Sequence, residues 1–582
     1  MQLQPPQSAV ARARAEAAFD GLTRNASTVE PQGPLSQPYE AANVRGQWFT
    51  GWRSSIQSPD REWLGVRDFT QARIRDQIRN DPIAVSALAR RKNSAVGRGW
   101  RLSSRPNAKA LGITPEQARD LGSQIQREWK QHAYGYAFEM DAERKMSFGQ
   151  ILRLVASHVL MDGEALGLVE WAEGESTRYK TRCRVVDPDR LSNPDGKTND
   201  DVFRAGVEHN DVGVPWRYWI RERHPADYGM KGLLVWNNWE RWTDWGRPQV
   251  LHAFEPQRAE QSRGISRFVT ALKSFRSLSK FTDATLQSAV VNALMVMFVQ
   301  SSAGPEAVSD NLSPAAIKDF DASRQEFYDD NPVVAGGEAR AIALPFGDEA
   351  KMLTASKDVG SFDAFTRSII RMIASSLGVT YEELSMDYSQ TNYSSARAAM
   401  IHAWAETQDL MALMEAQFVK PYFVAWLEEA FDRGYVVAPA GAPDFWVAPD
   451  AYAEASWIGP GRGTIDPVKE ALASAALMEA KLSTAQIENA NRGQDFEDIF
   501  EQLALEDAMA EELGLQDAVD ADAQSIQDTK NPAKTAADPS NDAGQPAPED
   551  QRPQGKPGAR RARKPGVLDR LSSAYRAFSE AA

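Results

Sequence analysis

Apolar and polar positions along the 582-residue chain follow two rhythms, and the point where one replaces the other divides it. From about residue 45 to 172 apolar side chains recur every three or four positions, which predicts helices. Thr114-Pro115-Glu116-Gln117 and Ser147-Phe148-Gly149-Gln150 read as helix starts, because the hydroxyl accepts from an N–H three residues on while Gln reaches back. The second start opens a helix with Ile151, Leu154, Val155 and His158 on one face, so His158 reads as a packed, hydrogen-bonded core residue. From about 165 to 256 the period shortens to two. ALGLVEW, TRCRVVD, FRAGVEH and WRYWIRERHP predict strands, separated by the turn clusters NPDGKTND and NDVG.

Helical spacing then returns. A long helix is predicted from Arg267 to about Val299, with cations Arg267, Lys273, Arg276 and Lys280 against Asp283 alone. Residues 301–358 carry five Lys/Arg against eleven Asp/Glu, a helix start at Ser313-Pro314 and a small hairpin in VVAGGEARAIAL. A second helix, 361–377, places Phe362, Phe365, Ile369, Met372 and Ile373 on one stripe. SSLGVTYEELSMDYSQTNYSSARAAM (375–400) follows, with a capping box from Thr380 to Glu383 and no Lys or Arg between Arg371 and Arg397. The next helix runs from about Ser395 past Pro421, which should kink it. After Gly434 the pattern is irregular until GPGRGTIDPVKEA, where Asp466 fits an N-cap and Pro467 the first helical position. Ser483-Thr484-Ala485-Gln486 opens a further helix. Residues 1–44 hold one short helical piece among Pro, Gln, Ser and Gly, and 521–566 are Ala, Asp, Pro, Gln and Lys. Both are expected to be flexible. The basic run ARRARK (559–564) and an amphipathic segment with Leu568, Leu571, Tyr575 and Phe578 close the chain.

Composition is that of a globular protein, with 42% hydrophobic and 25% charged residues. A net charge of -14 gives no global reason for tight nucleic-acid binding, since phosphate affinity comes mainly from Lys and Arg. Cys183 has no partner for an internal disulfide, which points to a reducing compartment and a small buried hydrophobe. The N-terminus lacks the apolar stretch of a signal peptide. AVVNALMVMFV (289–299) is too short to span a bilayer and contains Asn292, so no membrane association is expected.

Candidate chemistry is sparse. The six histidines are scattered, and no HExxH, CxxC, GxxxxGK[ST] or GxSxG pattern occurs. Gly459, Gly461 and Gly463 precede a helix and read as a flexible approach to it more than as an anion cradle. Asp187, Asp189, Asp195, Asp200 and Asp201 miss the spacing of a calcium loop. Glu382, Glu383 and Asp387 lack a neighbouring histidine, cation or metal-ligand set, so capping and solvation outweigh acid–base catalysis. No cofactor or metal is expected, and the chain does not read as an enzyme. Trp216, Trp219, Trp236, Trp239, Trp242 and Trp245 cluster in one stretch, and read first as filling for a β-rich core or a subunit contact, with base or sugar stacking as the alternative.

Several segments together resemble the lambda-type portal proteins of tailed bacteriophages. They are VVDPDRL (185–191), GVEHND (206–211), YWIRERHP (218–225) and HAFEPQRAEQSRGIS (252–266). SLGVTYEELSMDYSQTNYSSARAA (376–399), GPGRGTIDPVKEALASA (459–475) and NRGQDFEDIFEQLALE (491–506) continue the series, whose order and spacing cover most of residues 60–515. The resemblance implies a mixed α+β, mainly helical portal fold: a ring, usually dodecameric, at one vertex of the phage head. It also implies an order of parts. These are a flexible arm (1–44), wing (45–263), first stem helix (264–300), clip (301–358), second stem helix (359–378), tunnel loop (379–394), a long kinked helix (395–434), crown (435–520) and a tail with its basic cluster (521–582).

Under that resemblance Met386, Asp387, Tyr388, Ser389, Gln390, Thr391, Asn392, Tyr393 and Ser394 line the channel for double-stranded DNA. The apolar stripe of the second stem helix packs within the subunit and against its neighbours. The acidic clip implies cationic partner surfaces outside the shell. Implied partners are further copies of the chain, the terminase large subunit, head-completion or adaptor proteins, and the major capsid or scaffold protein. The place is the virion, after assembly in the host bacterial cytoplasm. Competing readings are a monomeric adaptor or minor capsid component acting through the Trp-rich region, and an enzyme of the packaging machinery.

Overall fold

A computed structural model describes residues 52, 54–174, 177–229, 231–293, 297–301, 313–330, 334–336, 339–341, 348–352, 359–463 and 466–513. The expected arm (1–44), much of the expected clip and the expected tail lie outside the described residues. The chain divides into two units, Met1–Asp466 and Pro467–Ala582. The crown expected over 435–520 takes in residues of both.

Local signals place most helix starts. Thr114 and Ser147 both form the capping boxes expected of them, opening Pro115–Tyr134 and Phe148–Asp162. The core of the first unit gathers where these helices meet Lys420–Asp432: Trp129 sits edge-on to Phe148, Phe423, Trp426 and Trp457, with centroids 5.1–5.4 Å away. Aromatic pairs prefer this T-shaped geometry because ring edges carry positive and faces negative partial charge. Cys183 is buried here too, as expected.

Two antiparallel sheets lie in the middle of the chain. Thr181–Val186, Glu164–Trp171 and Val250–Phe254 form one, in that spatial order. The other runs Phe203–Arg204, Val207–His209, Pro215–Arg221, Trp236–Glu240. FRAGVEH, expected as one strand, is therefore a hairpin. Its bend is Ala205-Gly206, with φ of 48° and 90°, the doubly positive pair that a tight two-residue hairpin demands.

Gly163 ends the Phe148–Asp162 helix at φ 84°, and a Cβ there would stand 2.4 Å from the Ile265 carbonyl carbon. The turn after that helix is thus closed against residues 264–266 by bare backbone, and it aims Glu164 inwards.

The long helix predicted from Arg267 to Val299 is shorter, Phe268–Ala293, and Met297–Ser301 is a strand paired with Asp348–Met352. MFVQS has β-branched and aromatic character, and the ladder with residues 348–352 outweighs a helical continuation. The hairpin expected in VVAGGEARAIAL is present, Val334–Gly336 with Ala339–Ala341, and a helix covers Pro314–Asp330. Val359–Leu377 packs on Phe268–Ala293 through Phe281, which stacks on Phe362 (5.4 Å) and meets Phe365 (4.4 Å).

The stripe drawn on Val359–Leu377 splits. Ile369 and Ile373 are buried, whereas Met372 is 64% and Phe365 45% exposed. Phe365 keeps one face on Phe281 while much of its ring stays open, and Met372 is the most exposed member of the stripe. Downstream, Tyr393–Met414 and Lys420–Asp432 are joined by a π-helical turn, Glu415–Val419, in which the Lys420 N–H reaches back to the Glu415 carbonyl. Pro421 lies just past it, where its missing N–H is least costly. The second unit holds Pro467–Glu479, Ala485–Asn491 and Phe496–Glu512, beginning at Pro467 as expected and capped at Thr484 for the middle helix.

Candidate functional site

The loop between Val359–Leu377 and Tyr393–Met414 is built from its own side chains. Thr380 and Glu383 close the expected capping box on Tyr381–Ser385, and Met386 ends that helix in the left-handed region at φ 57°. Asp387 then organises the tip. Its carboxylate accepts from the Ser389 N–H (3.1 Å), the Ser389 hydroxyl (2.6 Å) and the Tyr381 hydroxyl (3.1 Å). The Ser389 bonds chiefly hold the Asp387 carboxyl below its ordinary value, so it stays ionised. Glu382 accepts from the Thr391 hydroxyl at 3.2 Å. Each of the three acids considered for acid–base work thus braces the loop.

Asn392 and Ser395 form a second capping box, which starts the following helix at Tyr393. Tyr393 and Ser394, expected in the loop, belong to the first helical turn, because Asn392 is the better cap. Met386, Tyr388, Ser389, Gln390 and Asn392 are exposed; Asp387 and Thr391 are half-buried.

The stretch without cations in sequence is not without them in space. The Arg371 guanidinium lies 5.1 Å over the Tyr381 ring, Arg90 Nη2 is 3.0 Å from the Met386 sulfur, and Arg91 donates to the Gly378 carbonyl at 3.3 Å. All three contacts fall at the base of the loop. No Lys or Arg hydrogen bond to residues 387–394 occurs among the described residues.

The same unit holds a charged network that sequence reasoning did not find. Glu164, fully buried, accepts from Arg263, Arg67, His252 Nε2 and the Gly264 N–H. Burial alone would push its carboxyl up, but Arg263 and Arg67 hold it well below the usual range. Burial pushes the His252 imidazole down despite Glu164, so it donates as the neutral ring. Next to it, the Asp162 carboxylate meets Arg75 (2.8 Å) and His158 (2.7 Å), and its backbone carbonyl accepts from Gln71. His158 is thus the buried, bonded residue expected. The available signal was a pair of acids, Asp162 and Glu164, inside an apolar run that ends a helix and starts a strand.

Asp187, Asp189 and His224 bring ligand atoms within 4.8 Å of one another. Arg75 already bridges both carboxylates at 3.2 and 2.5 Å, so a side-chain cation balances part of the group's negative charge. Asp195, Asp200 and Asp201 do not join it. Of the glycine run, Gly459 is a packing position: a Cβ there would meet Met411 at 2.3 Å.

The tryptophan cluster does not fill a core. None of the six is buried. Trp239 packs against the small cluster of Leu166, Tyr218 and Val250. Arg217, Arg221 and Arg241 instead lie over Trp216, Trp236 and Trp242, at 3.8, 4.7 and 4.3 Å. The buried indoles among the described residues are Trp63, Trp100, Trp129, Trp426 and Trp457, all outside this stretch.

No helix among the described residues is long and apolar enough to cross a membrane. Residues 45–410 match the family described as phage portal protein, lambda family. The portal protein of Escherichia phage N15 is 32% identical over 504 residues, covering 84% of this chain and 94% of that protein. Portal protein B of Escherichia phage lambda is 31% identical over 505 residues, covering 83% and 93%. Among solved structures, the neck of a native gene transfer agent particle computed with C12 symmetry is 13% identical. It covers 73% of this chain and 93% of that one, at a TM-score of 0.38, too slight a likeness to carry an argument.

Proposed function

The chain belongs to the lambda family of phage portal proteins, and from that membership we propose that it forms the ring at one capsid vertex through which double-stranded DNA is packaged and later ejected. The observation that carries this reading is the 32% identity to the N15 portal protein across 84% of the chain. The role is structural. Its partners are copies of itself, the terminase large subunit, head-completion proteins and the capsid or scaffold shell, and its place is the virion.

Loop chemistry supports the finer reading. A passage crossed by long runs of phosphate must not hold them, and every Lys or Arg contact adds a salt-dependent binding term. Residues 387–392 present hydroxyls, amides and one carboxylate. Asp387 is committed to bracing the loop while keeping its negative charge. In a ring these groups, repeated by symmetry, touch DNA sterically and repel its backbone. The exposed Met372 and Phe365 edge supports helix-to-helix packing between neighbours.

In vitro packaging with Ser389→Arg or Asn392→Arg rings tests this. Slowed or stalled packaging with intact rings is expected. Packaging at the unmodified rate would remove the loop from the channel's tightest point.

A further inference from the structure

The helix Phe496–Glu512 is apolar on two sides. Phe496, Ile499, Phe500 and Leu503 form one stripe, where the Phe496 and Phe500 rings meet at 4.3 Å. Leu505, Met509 and Leu513 recur at a spacing of four on another flank, and are 60%, 60% and 65% exposed. No residue of this helix is buried. Its only charged residues are seven acids, and Glu501, Glu506 and Glu512 rim the second stripe. Side-by-side pairing of two such helices would set carboxylates against carboxylates, so a second copy of the same face is a poor cover. The complement is an apolar stripe flanked by cations.

The same chain carries one. Residues 559–578 contain six Lys/Arg and a single acid, and Leu568, Leu571, Tyr575 and Phe578 fall at spacings of three, four and three. The 54 residues between Leu513 and Leu568 reach well over 100 Å when extended, so length does not limit where the segment lands. We propose that the basic amphipathic segment 559–578 docks along the Leu505–Met509–Leu513 stripe of Phe496–Glu512, in its own chain or a neighbouring copy, with Arg560, Arg561 and Arg563 over the carboxylate rim. A tether of this length gives an effective concentration in the millimolar range or somewhat below, enough to populate a contact that free peptide would make weakly. The inference does not rest on the channel reading.

Cysteine cross-linking of the full chain tests it. Leu571→Cys is paired in turn with Leu505→Cys, Met509→Cys and, as control, Ala504→Cys, which is exposed on the same helix but off the stripe. Cys183 is fully buried, and burial pushes its thiol up, so it stays out of the reaction. Roughly tenfold more disulfide at 505 or 509 than at 504 is expected at matched oxidant, within or between chains, because a docked segment holds one face close. Replacing Arg560, Arg561 and Arg563 by Glu should abolish that preference. Equal yields at all three positions would overturn the proposal. So would cross-linking that survives the charge reversal unchanged, or a segment that gives no disulfide yet holds double-stranded DNA through the same arginines.

Discussion

Arg263 straddles the Glu164 carboxylate with Nε 2.9 Å from both oxygens and Nη2 2.7 Å from Oε1, and neither side chain reaches solvent. Arg263 also donates to the carbonyls of Leu191, Ala205 and Pro188, so this one guanidinium ties the strand start at Glu164 to the turns around 188–191 and 205. Three of the segments that carry the family resemblance, VVDPDRL, GVEHND and HAFEPQRAEQSRGIS, meet at or beside this pair.

Glu164→Gln keeps the shape and removes the charge that balances Arg263 and Arg67. Unpaired buried cations cost about 3–5 kcal/mol. A large drop in thermal stability is therefore expected, or loss of soluble protein. Asp363→Asn, which breaks the exposed pair with Arg367, should shift stability by no more than about 0.5 kcal/mol. Equal effects from the two variants would contradict the buried network's role.

His132 gives an acid-dependent term. Burial, with help from Arg182, pushes its imidazole down to about 3, and its Nε2 is 2.9 Å from the Tyr422 hydroxyl. The folded value lies below the unfolded one near 6.5. The neutral ring's contribution is thus complete above about pH 6.5 and is lost as pH falls towards 3. The slope is roughly 1.4 kcal/mol per pH unit. Stability measured across this window for His132→Gln should fall less steeply by about that amount; parallel curves would mean that His132 titrates normally.

Met372→Glu separates packing within the chain from packing between chains. At 64% exposure the change should alter the stability of the single chain by within about 0.5 kcal/mol. Sedimentation should nevertheless show smaller particles, since a carboxylate would be desolvated at each repeat of the contact. Unchanged particle size would place Met372 on free surface.

Sequence made the local features legible and concealed the distant ones. The boxes at Thr114, Ser147 and Thr380 each need only a hydroxyl and a side chain three residues on, so spacing reveals them. Glu164 takes its partners from positions 67, 252 and 263, and a charge read along the chain looks solvated until those are brought together. The tryptophans misled for the opposite reason. Their bulk suggests burial, yet stacked arginines share the covering of their faces and leave them half in solvent. The break after Ala293 was hidden because its strand partner lies at 348–352, across a long insertion.

Imaging of the purified chain by single-particle electron microscopy tests the central claim most directly. The account predicts closed rings with an axial hole, whose narrowest part is formed by residues 387–392 and carries no Lys or Arg side chain. Solitary particles, or a bore lined at its narrowest part by guanidinium and ammonium groups, would contradict it.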